Sequence, residues 1–165
     1  LWAQAAGHML ETRSSQRTRM MARYKEILVA TDFTEHSEAA ARRALELAEV
    51  CDARIQLLHV VEHFPEDVPS DVVAPEDVDP EAFISQTFDD RLAEFARSTG
   101  LGEACPRHVV LDSGSAKGGI VLAAERLGAD LIVLGSHGRH GRSAWLGSTT
   151  DGVMHRAQCD VLTVR

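Results

Sequence analysis

From Lys25 onward the chain alternates short apolar runs rich in isoleucine and valine with longer stretches whose apolar residues recur at helical spacing. The runs at 27–30, 55–61, 108–111, 131–134 and 161–164 predict five strands. Most of them lack polar alternation, as expected of parallel strands covered on both faces. Between the first two, residues 37–50 place Ala41, Ala44, Leu45 and Ala48 on one stripe, with Arg42, Arg43, Glu46 and Glu49 largely outside it, which predicts an amphipathic helix. Residues 83–97 repeat the pattern with Phe88, Leu92, Phe95 and Ala96, and residues 116–127 with Ile120, Val121, Ala124 and Leu127. A fourth helix is predicted to start at Ser148, where Ser148 and Asp151 have capping-box spacing, and to end before Cys159. This is a β-α-β rhythm, which places the chain in the α/β class.

Two segments stand outside the rhythm. The stretch "PEDVPSDVVAPEDVDP" over 65–80 holds four of the five prolines and six carboxylates, so it continues neither a helix nor a central strand. It reads as a long surface loop, either a plain connector or a lid over a nearby site. Ahead of the first strand, "GHMLE" at 7–11 resembles the translation of adjacent cloning sites. Residues 1–19 are therefore expected to be vector-derived, with a single domain over 20–165 that starts at Met20 or Met21.

Composition narrows the partners. A chain of 165 residues with a formal net charge of -8 has the size of one soluble domain and the wrong charge for an overall binder of nucleic acid or anionic membrane. No apolar run approaches the roughly 18 to 20 residues that span a bilayer. Cys51, Cys105 and Cys159 are widely spaced and form no CxxC pattern, so neither a disulfide framework nor a zinc site is signalled, and a reducing cytoplasm is expected. Any anion site must be local.

Such a site is signalled by "GSHGRHGRSAWLGST" at 135–149, which packs four glycines, two arginines and two histidines directly after the fourth strand, without a carboxylate. Glycines let backbone N–H groups approach phosphate oxygens, and the helix that follows adds its positive dipole end. Ser148 either caps that helix or donates its hydroxyl to a phosphate. A strand-to-helix connection that uses glycines for turns and arginines for solubility explains the same residues, and both readings stand at this level. No GxGxxG follows the first strand and no GxxxxGK[ST] occurs, which removes the dinucleotide fingerprint and the Walker loop. His137 and His140 lie three apart with no further ligand cluster, so no metal is assigned to them. Ser136 beside His137 resembles half of a nucleophile–base pair but lacks an orienting acid. His59 reads as a hydrogen-bonded core histidine, and Trp145 as an anchor for the loop.

The stretches "YKEILVATDFTEHSEAA", "LLHVVE" and "ADLIVLGSHGRHGRSAWLGSTTDGVMHRAQCDVLTVR", in that order, resemble the universal stress protein family across 24–165. The resemblance implies a doubly wound α/β fold of the adenine nucleotide alpha hydrolase type. Its five-stranded parallel sheet would have the order 3-2-1-4-5, with the first and fourth strands adjoining at a topological switch point, where open sheets bind ligands. Nucleotide-binding members hold ATP or AMP through GxxG, nine residues, then Gly-Ser or Gly-Thr. Here Gly135 and Gly138 match the first pair and Gly147 with Ser148 the last, with eight residues between.

By the same resemblance Ala30, Thr31 and Asp32 lie at the nucleoside, where Asp32 accepts from ribose or base and Val60 offers its backbone to the adenine edge. Leu134, Gly135, His137, Gly138, Arg139, Gly147, Ser148 and Thr149 complete the implied cofactor-binding set. The other reading of Asp32 is capping or turn formation within "TDFTEHS". The implied function is a cytoplasmic stress-response module that binds ATP or AMP, with or without magnesium, and dimerises through the edge strand "CDVLTVR" at 159–165. No catalytic residue is assigned, because no base that would activate water is evident. The alternatives are a dimeric interaction module without physiological nucleotide and a slow ATPase.

Overall fold

The computed structural model describes residues 24–62, 79–112, 114–137 and 147–165. Five strands, β1 (Glu26–Ala30), β2 (Arg54–Glu62), β3 (Arg107–Asp112), β4 (Leu131–Gly135) and β5 (Asp160–Val164), alternate with four helices, α1 (Glu35–Cys51), α2 (Pro80–Thr99), α3 (Ala116–Leu127) and α4 (Ser148–Met154). All strand pairs are parallel, in the order β3-β2-β1-β4-β5. Each predicted strand is present and longer by one residue at one or both ends.

The absence of polar alternation in the strands has the expected cause. Ile27, Val29, Leu57, Leu131 and Val133 pack on one face against Ala40, Ala41 and Ala44 of α1 and Leu92, Phe95 and Ala96 of α2. Leu28, Ala30, Leu58, Val60, Ile132 and Leu134 pack on the other against Ile120, Ala123 and Ala124 of α3 and Val153 of α4. Successive side chains point to opposite faces, so a strand covered on both must be apolar throughout. Among the described residues no helix is long and apolar enough to cross a membrane.

Two local expectations are corrected by the structure. Pro80, expected to close the surface loop, instead opens α2, with Asp79 as its N-cap. Proline is well placed there, because the N–H it lacks has no partner within the first turn of a helix. The remainder of that loop, 63–78, lies outside the described residues. Helix α4 starts at Ser148 as expected, but its N-cap is Gly147, with no side-chain cap hydrogen bond, so the Ser148–Asp151 capping box is not formed. The Gly147 amide donates to the Ser136 carbonyl at 2.9 Å, which holds Gly147 as the last extended residue and makes Ser148 the first helical one.

Candidate functional site

Strands β1 and β4 lie side by side, with Ala30 opposite Leu134, yet the helices that follow them go to opposite faces, α1 to one and α4 to the other. The connections diverge at the carboxyl ends of the two strands, the place where open α/β sheets form their ligand crevice.

On the β1 side, the last ladder bond runs from Thr31 N to the Leu58 carbonyl at 2.9 Å. The chain then turns at Phe33, whose φ of 64° is left-handed. That backbone is costly for a non-glycine residue. The Phe33 ring is held against His59, Phe95 and Phe88 at centroid distances of 4.5, 6.0 and 6.3 Å, which offsets the cost. Within the turn, the Thr31 hydroxyl accepts from Phe33 N at 2.9 Å and donates to the Ser37 hydroxyl at 2.9 Å, which donates in turn to the Thr34 carbonyl at 2.8 Å. Asp32 Oδ1 accepts from the amide and hydroxyl of Thr34 at 3.2 and 2.6 Å. The turn-forming reading of Asp32 is thus realised at that oxygen, while the cap of α1 is Thr34.

This turn changes what β2 presents. Leu58 directs its carbonyl to β1, so Val60, two residues on, directs its own N–H and C=O toward the same edge. A continuing ladder would pair those groups with the Phe33 amide and the Thr31 carbonyl. The Phe33 amide goes to the Thr31 hydroxyl, and the Thr31 carbonyl accepts from His59 Nδ1–H at 2.8 Å. Strand β2 therefore runs on past β1, and Val60 turns a main-chain donor and acceptor to the crevice while its side chain stays in the core. His59 is the buried, hydrogen-bonded histidine that its apolar strand predicted, and the carbonyl acceptor assigns its proton to Nδ1.

The β4 side is held by longer connections. Ser136 N donates to the Val164 carbonyl at 2.7 Å, Gly147 N to the Ser136 carbonyl, and the buried Thr150 hydroxyl to the Gly135 carbonyl at 2.9 Å. A Cβ on Gly135 would lie 2.9 Å from both C and Cβ of His36 and 3.1 Å from Ser37 N. Glycine is required there because the first turn of α1 passes close to the strand, a packing reason that the glycine pattern alone did not reveal. Beyond it, Ser136 Oγ and His137 Nδ1 are 2.9 Å apart, and the His137 ring lies 5.6 Å from that of His36.

The sequence-predicted residues are therefore distributed over two walls. Ala30, Thr31, Asp32 and Val60 belong to the β1–β2 side, and Leu134, Gly135, His137, Gly147, Ser148 and Thr149 to the β4–α4 side. Gly138 and Arg139, with His140, Arg142 and Trp145, lie outside the described residues. Phe33 and His36 were missed, since nothing in the spacing of "TDFTEH" signals a left-handed phenylalanine or a ring contact with a residue at 137. No group of three or more His, Cys, Asp or Glu able to hold a metal occurs among the described residues.

The sequence matches the Universal stress protein family over residues 23–165. Universal stress protein A homolog 2 of Coxiella burnetii is 38% identical over 146 residues, which cover 88% of this chain and 97% of that protein. The structure of the universal stress protein UspA from Lactobacillus plantarum aligns with a TM-score of 0.65 at 26% identity, covering 87% of this chain and 99% of its own. A universal stress protein of Archaeoglobus fulgidus, solved in complex with dAMP, shares the fold at a TM-score of 0.57 and 20% identity, covering 86% of this chain and 98% of its own.

Proposed function

The chain belongs to the universal stress protein family, and from that premise we propose that it is an adenine-nucleotide-binding module whose crevice between β1 and β4 takes ATP or AMP. The observation that carries the proposal is the diversion of β1 away from Val60. Adenine offers an amino donor beside a ring-nitrogen acceptor, and the C=O and N–H of one extended residue complement that pair. Asp32 takes the ribose or base as an acceptor, since beside phosphate its carboxylate would be repelled. The phosphates then extend toward Gly135, His137, Gly138, Arg139, Ser148 and Thr149. Gly147 commits its own amide to Ser136, so its contribution is the close approach that its missing side chain allows. Magnesium, where ATP is the ligand, is carried on the phosphate oxygens. The dAMP in the Archaeoglobus protein supports the ligand class. The site is assigned binding, with little or no turnover, and a slow ATPase is the alternative that a turnover assay isolates.

Calorimetric titration of ATP and AMP into nucleotide-free protein tests this reading. Binding is expected, and Asp32→Ala is expected to weaken it by roughly 10- to 100-fold, the cost of about 1.5 to 3 kcal/mol for a hydrogen bond to a charged group. If neither nucleotide binds at millimolar concentration, the reading fails. The stretch of eight residues between Gly138 and Gly147 then favours an interaction module without nucleotide.

We further propose a cytoplasmic homodimer that pairs β5 with its copy about a two-fold axis. Strand β5 is a sheet edge, and all five of its residues are half-buried. Since the Val164 carbonyl faces β4, strand alternation turns Val161 and Thr163 outward, and a second copy would satisfy their backbone groups. Thr163→Pro, which removes an outward N–H, is expected to convert a dimer to a monomer in sedimentation, whereas Leu162→Pro would damage the pairing with β4 itself. An unmodified protein that sediments as a monomer at micromolar concentration overturns the dimer.

A further inference from the structure

The dimer proposed at β5 leaves the opposite edge of the sheet, β3, open. The Pro106 carbonyl accepts from Leu57 N at 2.8 Å, so strand alternation turns the main-chain groups of His108 and Val110 to β2 and those of Arg107, Val109 and Leu111 outward. Among the described residues these outward groups have no partner. Beside them lies an open cleft of about 410 Å³ between β3 and α3. It is lined by Val110, Ala123 and Leu127, and by Leu122, 47% of whose surface is exposed. A free edge beside an apolar cleft meets the needs of an added strand, the edge pairing with its main chain and the cleft taking alternate side chains.

Charge sets the class of strand. Arg107, His108 and Arg126 line the cleft and no carboxylate does, in a chain whose formal net charge is -8. The Arg107 guanidinium is matched by Asp89 at 3.1 and 3.2 Å, and His108 Nε2 is bonded to Gln56. Arg126 is exposed and has no ion-pair partner among the described residues. We propose that the β3 edge and this cleft bind an extended segment of a partner protein that carries an apolar side chain and, two residues away, a carboxylate. Residues two apart share one face of a strand at a spacing of about 6.7 Å. Leu122 and Arg126 are four apart on α3, a rise of about 6 Å, so the two spacings match. The apolar side chain then meets Leu122 and the carboxylate meets Arg126. The cleft shares no residue with the nucleotide site, and the proposal goes beyond that reading.

The test titrates the isotope-labelled full chain, followed by NMR, with blocked heptapeptides of threonine that carry one valine and, two positions on, either glutamate or lysine. Saturable binding of the glutamate peptide at millimolar concentration is expected. Hydrogen exchange at the amides of Val109 and Leu111 should slow, while that of Val110, which faces β2, stays unchanged. Arg126→Glu is expected to reverse the preference, weakening the glutamate peptide at least about 5-fold and strengthening the lysine peptide. Arg126→Gln should weaken the glutamate peptide without favouring lysine, and Leu122→Ser should weaken both. Absence of binding, equal binding of the two peptides, or glutamate-peptide binding that Arg126→Glu and Arg126→Gln leave unchanged overturns the proposal. Protection of the Val109 amide in the chain alone overturns it as well: protection that grows with concentration assigns the edge to a second copy, and protection that does not assigns it to the chain itself.

Discussion

At the end of β1 the polar groups of Thr31, Asp32, Thr34 and Ser37 bond to one another, the longest step spanning six positions of sequence. At the end of β4, by contrast, Gly135 and Ser136 are held by Thr150, fifteen positions away, by Gly147 and by Val164. The polar contacts of the first turn are made within its own segment, though its backbone and the Phe33 ring also rest on β2 and α2, whereas the second wall is held throughout by segments that must first be assembled around it. A change at the first wall should therefore cost local hydrogen bonds, whereas a change at the second should displace a helix.

The largest effect is expected at the assembled wall. Gly135→Val places side-chain atoms against the backbone of α1, which has no flexible end to yield, and should cost about 3 kcal/mol, the upper part of the range for overpacking. Gly118→Ala is the contrast within one chain. Its Cβ would meet only the Ser115 hydroxyl at 3.4 Å, and relief of glycine's entropic cost in a helix should add about 0.5 to 1 kcal/mol. Urea unfolding measures both, and equal stability of Gly135→Val and the unmodified protein would show that the second wall does not depend on close approach.

A smaller loss is expected at the locally built wall. Thr31→Val keeps shape but removes the acceptor of the Phe33 amide and the donor to the buried Ser37 hydroxyl. Leaving buried polar groups unpaired costs about 1 to 3 kcal/mol, and about 2 is expected here. The sharper readout is Val60: amide exchange at that residue should change in Thr31→Val, since the turn that diverts β1 from it has lost its central hydroxyl. Unchanged stability and exchange would assign the turn to the Phe33 ring alone.

The smallest effect lies away from both walls. His108 on β3, with Nε2 2.9 Å from Gln56 Oε1, has its pKa lowered by burial. The unfolded chain takes up the proton near the ordinary value of about 6.5, and the folded chain only at lower pH. Stability is therefore present in full above about 6.5 and falls as pH drops toward the folded value. Replacing His108 with Gln should flatten that part of the stability–pH curve without altering nucleotide binding. An unchanged curve would remove His108 as its cause.

Legibility followed the range of the interactions. The strands and helical stripes were evident because burial on two faces leaves a continuous apolar run and burial on one leaves a helical period. The role of His59 was evident for the same reason. Pro80 was misplaced because proline signals a break in either direction, and only Asp79 as the cap shows that a helix begins there. The capping box at Ser148 failed because the hydrogen bond from Gly147 to Ser136 shifted the cap by one residue, an interaction across a loop that spacing does not encode.

By itself, the sequence determined the class of fold and the positions of its strands and helices, and through its motifs the family and the strand order that the family implies. These follow from whether each residue prefers burial and from short stretches whose residues act together. Only the tertiary structure decided that Val60 turns its backbone to the crevice, that Gly135 is required by the approach of α1, that Thr163 rather than Leu162 faces the open edge, and that His36 meets His137. Each depends on which distant segment lies alongside, and the preference of a side chain for burial carries no record of its neighbour.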